Sequence, residues 1–155
     1  MTGSIEKQYS ELRKKHRLPD FRELDLEFEL SDMEDTKFIL RNIIRQMAEK
    51  LEFYTKMLEE ILQPDASNLY IMHEMRSFNE AEKNRMYELY RKLMHLNRNS
   101  IEVSLLQDEN AQAQFINSAF EEWNGLKQQL VSYVKIMKEA WKSDTDTIED
   151  IGYLG

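Results

Sequence analysis

The sequence predicts an all-α protein: a bundle of three long antiparallel helices, with additional short helices at the N-terminus and between the first two long helices. Only 4 Gly and 2 Pro occur among 155 residues, and β-rich folds of this size need many turns built from these residue types. Over three long segments, apolar residues recur at intervals of three and four, which is typical of amphipathic helices.

Two short helices are predicted before the long ones. Residues 4–17 carry Ile5, Tyr9 and Leu12 at helical spacing. Pro19 ends this segment, because the residue before a proline avoids the α-helical conformation. Asp20 is expected to cap the second helix, with Glu23 completing a capping box. Its expected apolar side is formed by Phe21, Leu24 and Phe28.

The first long helix is predicted over residues 32–62, opened by a capping box of Ser31 and Glu34. Pro64 follows its end. Its apolar side chains repeat with alternating spacings of four and three residues, a heptad seam, at Leu40, Ile44, Met47, Leu51, Tyr54, Leu58 and Ile61. Further apolar residues such as Phe53 and Met57 widen this face, which favours burial on more than one side.

A short helix is predicted from Asp65 or Ser67 to Arg76, with an apolar side formed by Leu69, Met72 and Met75. The second long helix is predicted to begin at Asn79, with Glu82 completing its capping box. The stretch 97–100 is poor helix-forming sequence and favours a kink. The apolar positions of this helix are Met86, Leu89, Leu93, Leu96, Ile101 and Leu105.

The third long helix has a predicted heptad seam that is interrupted once. Lys127 occupies one seam position, with Leu126 beside it, and Gly125 weakens the same region. The apolar positions assigned to this seam are Ile116, Phe120, Trp123, Leu130, Val134, Met137 and Trp141. Residues 1–142 are therefore interpreted as a single helical domain. Residues 143–155 contain four carboxylates and no Lys or Arg, and we expect an acidic, mobile tail.

Composition narrows the classes of function. The chain has no Cys, which excludes disulfides and thiolate chemistry. It has neither an apolar run long enough to span a membrane nor a hydrophobic signal region, so a cytoplasmic protein is expected. A net charge of −8 opposes general binding to nucleic acid, although a local basic face could overcome this.

No catalytic, cofactor or metal site is predicted. A di-iron helical bundle needs Glu three residues before each ligating His, whereas Tyr70 precedes His73 and Lys92 precedes His95. Both histidines are interpreted as partly exposed helix residues. Arg91 and His95 share one helix face and could in principle support catalysis, but such pairs are common on solvated helices. An enzyme is therefore the less favoured hypothesis.

A candidate basic stripe is formed by Arg91, His95 and Arg98, which follow i, i+4 and i+7 spacing. Tyr87 and Tyr90 lie near it and could stack on bases. The competing interpretation is a solvated outer face paired with neighbouring acids, and charge runs more often have that role.

The favoured function is a non-enzymatic helical interaction protein: a scaffold, adaptor or small assembly subunit with a protein partner or a second copy of itself. Amphipathic helices with spare apolar surface supply the means, because exposed apolar patches mark interaction sites. The alternative hypothesis is an accessory protein of nucleic acids or nucleotides that uses Arg91, His95 and Arg98. No membrane partner is expected.

Overall fold

The computed structural model describes residues 2–33 and 37–142, of which 84% are helical and none is in a strand. This confirms the all-α prediction for that part of the chain. The predicted tail at 143–155 and the predicted capping residue Glu34 lie outside the described residues. The helices, in chain order, are α1 (Thr2–His16), α2 (Phe21–Phe28), a 3₁₀ helix (Leu30–Asp32), α3 (Ile39–Leu62), α4 (Leu69–Met75), α5 (Glu80–Leu106) and α6 (Glu109–Ala140).

The chain divides into two compact units, each built from two separate stretches of sequence. The first unit comprises Met1–Glu52 and Met94–Asn124, and the second comprises Phe53–Leu93 and Gly125–Gly155. The helices α3, α5 and α6 are each divided between the units, with one part of the helix in the first unit and the other part in the second.

In the first unit, α1 and α2 bury the apolar residues that the sequence assigned to them, except Leu12, which is only half-buried. Ile5 and Tyr9 are buried on α1, and the Tyr9 hydroxyl donates to the carbonyl oxygen of Pro19 at 2.5 Å. The Asp20 side chain caps α2 by accepting from the backbone N–H of Arg22. The buried positions of α2 are Phe21, Leu24 and Phe28, as predicted. The N-terminal helices thus form a fixed part of this unit's core.

The predicted start of the first long helix is wrong: α3 begins at Ile39, not near residue 32. The reason lies at the end of α2, where Glu29 adopts a left-handed conformation (φ 57°) and turns the chain. The carboxylate of Asp25 then accepts from the backbone N–H of Ser31 at 2.6 Å. Ser31 therefore belongs to a 3₁₀ helix that closes off α2.

Within α3 the predicted heptad seam is largely confirmed. Tyr54 departs from it and is half-buried, while the adjacent Thr55 is buried. Phe53 does not extend the buried face, because its side chain is 67% exposed. The seam positions that are buried as predicted are Leu40, Ile44, Met47, Leu51, Leu58 and Ile61.

In the second unit, α4 differs from its predicted orientation. Its N-cap is Asn68, because Asp65 instead accepts from the N–H and hydroxyl of Ser67 in a local turn. The predicted apolar side is wrong as well: Leu69 is exposed, and the buried residues of α4 are Ile71 and His73.

The start of α5 is confirmed in detail. The Asn79 side chain accepts from the N–H of Glu82 at 2.8 Å, and the Glu82 carboxylate accepts from the N–H of Asn79 at 2.9 Å. These two bonds form the reciprocal capping box that the sequence predicts.

The α5 seam holds as predicted only to Leu96. Beyond it, Ser100 and Val103 are buried, whereas the predicted Ile101 and Leu105 are exposed. The helix runs unbroken through residues 97–100. With the spacing of three and four residues, the buried position after Leu96 falls on Ser100. Its hydroxyl donates to the carbonyl of Asn97 at 2.6 Å, which removes the cost of burying it.

The seam of α6 is shifted by one residue at alternate positions. The predicted members Val134 and Trp141 are exposed, while Tyr133 and Ala140 are buried. This register leaves Lys127 exposed and buries Leu126 in its place, so that no ammonium group has to leave water. The buried line then has unbroken heptad spacing, through Gln112, Ile116, Ala119, Trp123, Leu126, Leu130, Tyr133, Met137 and Ala140.

Candidate interaction surface

The shifted register of α6 leaves apolar side chains on its outer side in the second unit. Val131 is 45% exposed, Val134 is 41% exposed, and Trp141, which directly follows the helix, is 52% exposed. Lys135 and Lys138 are also exposed on this segment. We call these five residues the lysine–valine face.

The lysine–valine face is compact and lacks acidic residues. At about 3.6 residues per turn, its five positions fall within roughly one third of the helix circumference. Among residues 125–142 the only acid is Glu139; it lies outside this arc and pairs with Lys142 at 3.4 Å. Within the described part of the chain, neither Lys135 nor Lys138 forms an ion pair. The face therefore combines exposed apolar surface with two lysines that form no ion pair among the described residues, in a chain whose net charge is −8.

Trp141 is held in place by α4. Its indole Nε1 donates to Glu74 Oε2 at 3.0 Å, and its ring lies against the His73 ring with centroids 4.3 Å apart. His73 in turn donates through Nε2 to the carbonyl oxygen of Ala140 at 2.7 Å. The aromatic end of the face is thus pre-positioned rather than free to rotate.

The expectation that His73 is partly exposed is wrong, because only 9% of the residue is accessible. Its partner Ala140 is distant in sequence, and the bond satisfies one of the carbonyl groups left open at the end of α6. His95, by contrast, is exposed as expected.

A groove of about 570 Å³ adjoins Trp141. Leu69 and Tyr70, both more than half exposed, line it from the start of α4. Asp65 also lines the groove, and hydrogen bonds from the N–H and hydroxyl of Ser67 hold the pKa of that carboxyl below its ordinary value. The groove consequently offers apolar side chains, Trp141 among them, together with one carboxylate.

All three residues of the predicted basic stripe are exposed on α5. Arg91 belongs to the second unit and pairs with Glu88 on the same helix at 3.4 Å. His95 and Arg98 belong to the first unit, and the Arg98 guanidinium donates to Asn97 Oδ1 at 2.6 Å. Both arginines thus have polar partners on their own helix.

The basic residues at the end of α1 have a structural contact. Lys15 and His16 donate to the same oxygen of Glu109, at 2.8 Å and 2.9 Å. These hydrogen bonds lower the pKa of the Glu109 carboxyl. The contact joins the last turn of α1, rich in cations, to the first turn of α6, where a carboxylate is favoured by the helix dipole.

Two other classes of site are absent from the described residues. None of their helices combines the length and the apolar character needed to cross a membrane. Across residues 2–33 and 37–142, no three His, Asp or Glu side chains come together in a way that could hold a metal ion.

Sequence reasoning missed the lysine–valine face because it assigned Val134 and Trp141 to the core. Lys127 is the signal that could have revealed it. If Leu126 rather than Lys127 is taken as the seam position, the same spacing places Tyr133 and Ala140 in the core. Val134 and Trp141 are then predicted to be exposed.

No family model, curated protein or solved structure matches this chain.

Proposed function

We propose that this chain is a non-enzymatic helical interaction protein, a scaffold, adaptor or small assembly subunit, that binds a protein partner through the lysine–valine face. The observation that carries the proposal is the exposure of Val131, Val134 and Trp141 on a helix whose buried seam is already complete without them. Apolar side chains beyond those a helix needs for its own core are typical of binding surfaces.

The proposal includes an arrangement of the helices. The connection between α5 and α6 is only Gln107 and Asp108, and Gln107 adopts a left-handed conformation (φ 54°). Connections this short join antiparallel neighbours. We therefore propose that α3, α5 and α6 form an antiparallel bundle within a single domain.

A second copy of the chain is a further candidate partner. Phe53 is strongly exposed, and Tyr54 and Met57 are partly exposed on the same part of α3. A twofold dimer is the commonest closed assembly, and these three side chains are the surface proposed for it. Sedimentation over a wide concentration range tests this: a monomer at every concentration contradicts the dimer.

The interaction proposal is tested by affinity capture from native lysate with two matched double variants. Val131→Glu with Val134→Glu places two carboxylates on the face. Gln128→Glu with Ser132→Glu adds the same number of carboxylates to exposed positions of α6 outside it. We expect the first pair to lose the partners captured by the unaltered protein and the control pair to retain them. Equal capture by both pairs would contradict the proposal.

The alternative function, association with nucleic acid, is favoured by one observation on α5. Tyr87 and Tyr90 form a stacked pair with ring centroids 6.3 Å apart, next to the exposed Arg91. Aromatic side chains beside cations are suited to unpaired bases. Binding through Arg91, His95 and Arg98 would weaken steeply with added salt, because bound phosphates release counterions. Nuclease treatment of the lysate separates the alternatives: protein partners that survive it support the interaction protein.

A further inference from the structure

We propose that the occupant of the lysine–valine face is an acidic amphipathic helix of a partner protein. This inference deepens the proposed function and depends on it. It names the chemistry of the partner: apolar side chains on one side of a helix, with carboxylates beside them.

The charge of the partner follows from Lys135 and Lys138. Both ammonium groups are exposed and unpaired within the described chain, and Glu139 is already engaged with Lys142. Opposite charge accelerates encounter and fixes register, whereas like charge disfavours binding. Carboxylates of a partner are therefore expected next to these two lysines.

The length of the face suits a helical partner. Val131 and Val134 are three residues apart, and Trp141 lies seven residues beyond Val134. From Val131 to Trp141 the face is about 15 Å long, at about 1.5 Å of rise per residue. Helices that dock on such surfaces use anchors at i, i+3, i+4 and i+7. A partner helix of three turns matches this length.

The orientation of the partner's apolar anchor follows from the groove beside Trp141. The groove has sufficient volume for a large side chain, and Leu69, Tyr70 and Trp141 form its apolar wall. Because Glu74 and His73 hold the Trp141 ring, binding does not have to immobilise it. The Asp65 carboxylate that lines the groove repels a carboxylate, so the acidic residues belong beside the lysines and the apolar anchor belongs in the groove.

A nucleic acid fits this surface less well. Phosphates could contact Lys135 and Lys138, and Trp141 could stack on a base, but the exposed apolar area of Val131 and Val134 would gain no partner from a nucleic acid. Apolar burial is available only to a partner that brings apolar side chains.

The test uses two fluorescein-labelled peptides of about 14 residues, each long enough for about 20 Å of helix. Both carry leucine at one helical face; the first has Glu at the remaining positions, and the second has Lys at each of those positions. Fluorescence anisotropy measures the affinity of each peptide for three proteins. They are the unaltered full chain, the double variant with Lys135→Glu and Lys138→Glu, and a control double variant with Lys7→Glu and Lys14→Glu. The control lysines are exposed on α1 and give the same change in net charge.

At low salt we expect the full chain to bind the Glu peptide about tenfold or more tightly than the Lys peptide. The Lys135/Lys138 variant is expected to reverse this preference, and the Lys7/Lys14 control to keep it. Substituting Val131 and Val134 with Glu should abolish binding of the Glu peptide, while circular dichroism shows unchanged helix content.

Three results would overturn the inference: no binding of the Glu peptide, equal affinity for both peptides, or the same reversal in the control variant. Sedimentation of the unlabelled chain covers the competing occupant. Self-association that the Lys135/Lys138 variant dissolves would assign the face to a second copy and overturn the inference as well. If instead the Val131/Val134 variant loses native partners while the peptides show no charge preference, the proposed function stands and only its acidic partner is wrong.

Discussion

The imidazole of His73 joins α4 to the end of α6 through its bond to the Ala140 carbonyl and its contact with the Trp141 ring. The sequence could not predict this contact, because the two partners are 67 positions apart in the chain. Periodicity reports which face of a helix is apolar, but it does not report which distant carbonyl a polar side chain reaches.

His73→Ala is expected to destabilise the fold. The change leaves the Ala140 carbonyl without its donor and opens space beside Trp141, at a cost of about 2 kcal/mol in the free energy of unfolding. Urea unfolding followed by Trp fluorescence measures it. His95→Ala serves as the control, since His95 is exposed, and should change stability by about 0.5 kcal/mol or less. Equal losses in the two variants would contradict the buried role of His73.

Leu51 is a residue whose burial the sequence did predict. It is 2% exposed in the middle of the α3 seam. Leu51→Asp would bury a carboxylate among apolar side chains, and we expect a loss of about 4 kcal/mol or more, enough to unfold a marginally stable domain. A melting temperature equal to that of the unaltered protein would contradict the seam assignment.

The helices themselves show where periodicity succeeds and where it fails. The capping box at Asn79 and the α3 seam were predictable because they depend on residues a few positions apart. Periodicity alone did not predict the α6 register, since Val134 and Trp141 are apolar like Tyr133 and Ala140. Only the cost of burying Lys127 distinguishes the two registers.

A pair of neighbouring substitutions tests the α6 register. Tyr133→Glu places a carboxylate at a buried position and should cost about 3 kcal/mol in the free energy of unfolding. Val134→Glu places it on the outer side and should cost about 1 kcal/mol or less. Thermal melts followed by circular dichroism measure both. The opposite order of stabilities would restore the register in which Val134 belongs to the core.

The contact between α1 and α6 predicts a dependence on pH. The pKa of Glu109 is lowered in the folded state by hydrogen bonds from Lys15 and His16, so its contribution to stability is present above the ordinary pKa of a glutamate. That contribution is lost as the pH falls through the lowered pKa. Glu109→Gln should therefore melt below the unaltered protein near neutral pH, and the difference should shrink as the solution is made acidic. A difference that is constant with pH would contradict the ionic contact.

At the scale of the whole molecule, the all-α class followed from composition and periodicity, whereas the proposed interaction surface did not. The fold class depends on properties of the whole composition, such as the scarcity of Gly and Pro, and many single substitutions leave these properties unchanged. The surface depends on a one-residue choice of register in α6 and on α4 holding Trp141. Net charge did not locate it either: in a chain of −8, Lys135 and Lys138 form no ion pair among the described residues and lie beside exposed valines.

A protein partner that covers the lysine–valine face shields its lysines from acetylation in native lysate, and lysine footprinting measures this protection. Acetylation of each lysine is measured by mass spectrometry, with and without nuclease, and compared with the purified protein. We expect Lys135 and Lys138 to be protected in lysate whether or not nuclease is added, while the exposed Lys7 and Lys14 react as in the purified protein. Unprotected Lys135 and Lys138, or nuclease-sensitive protection of Lys92 beside the basic stripe instead, would contradict the account.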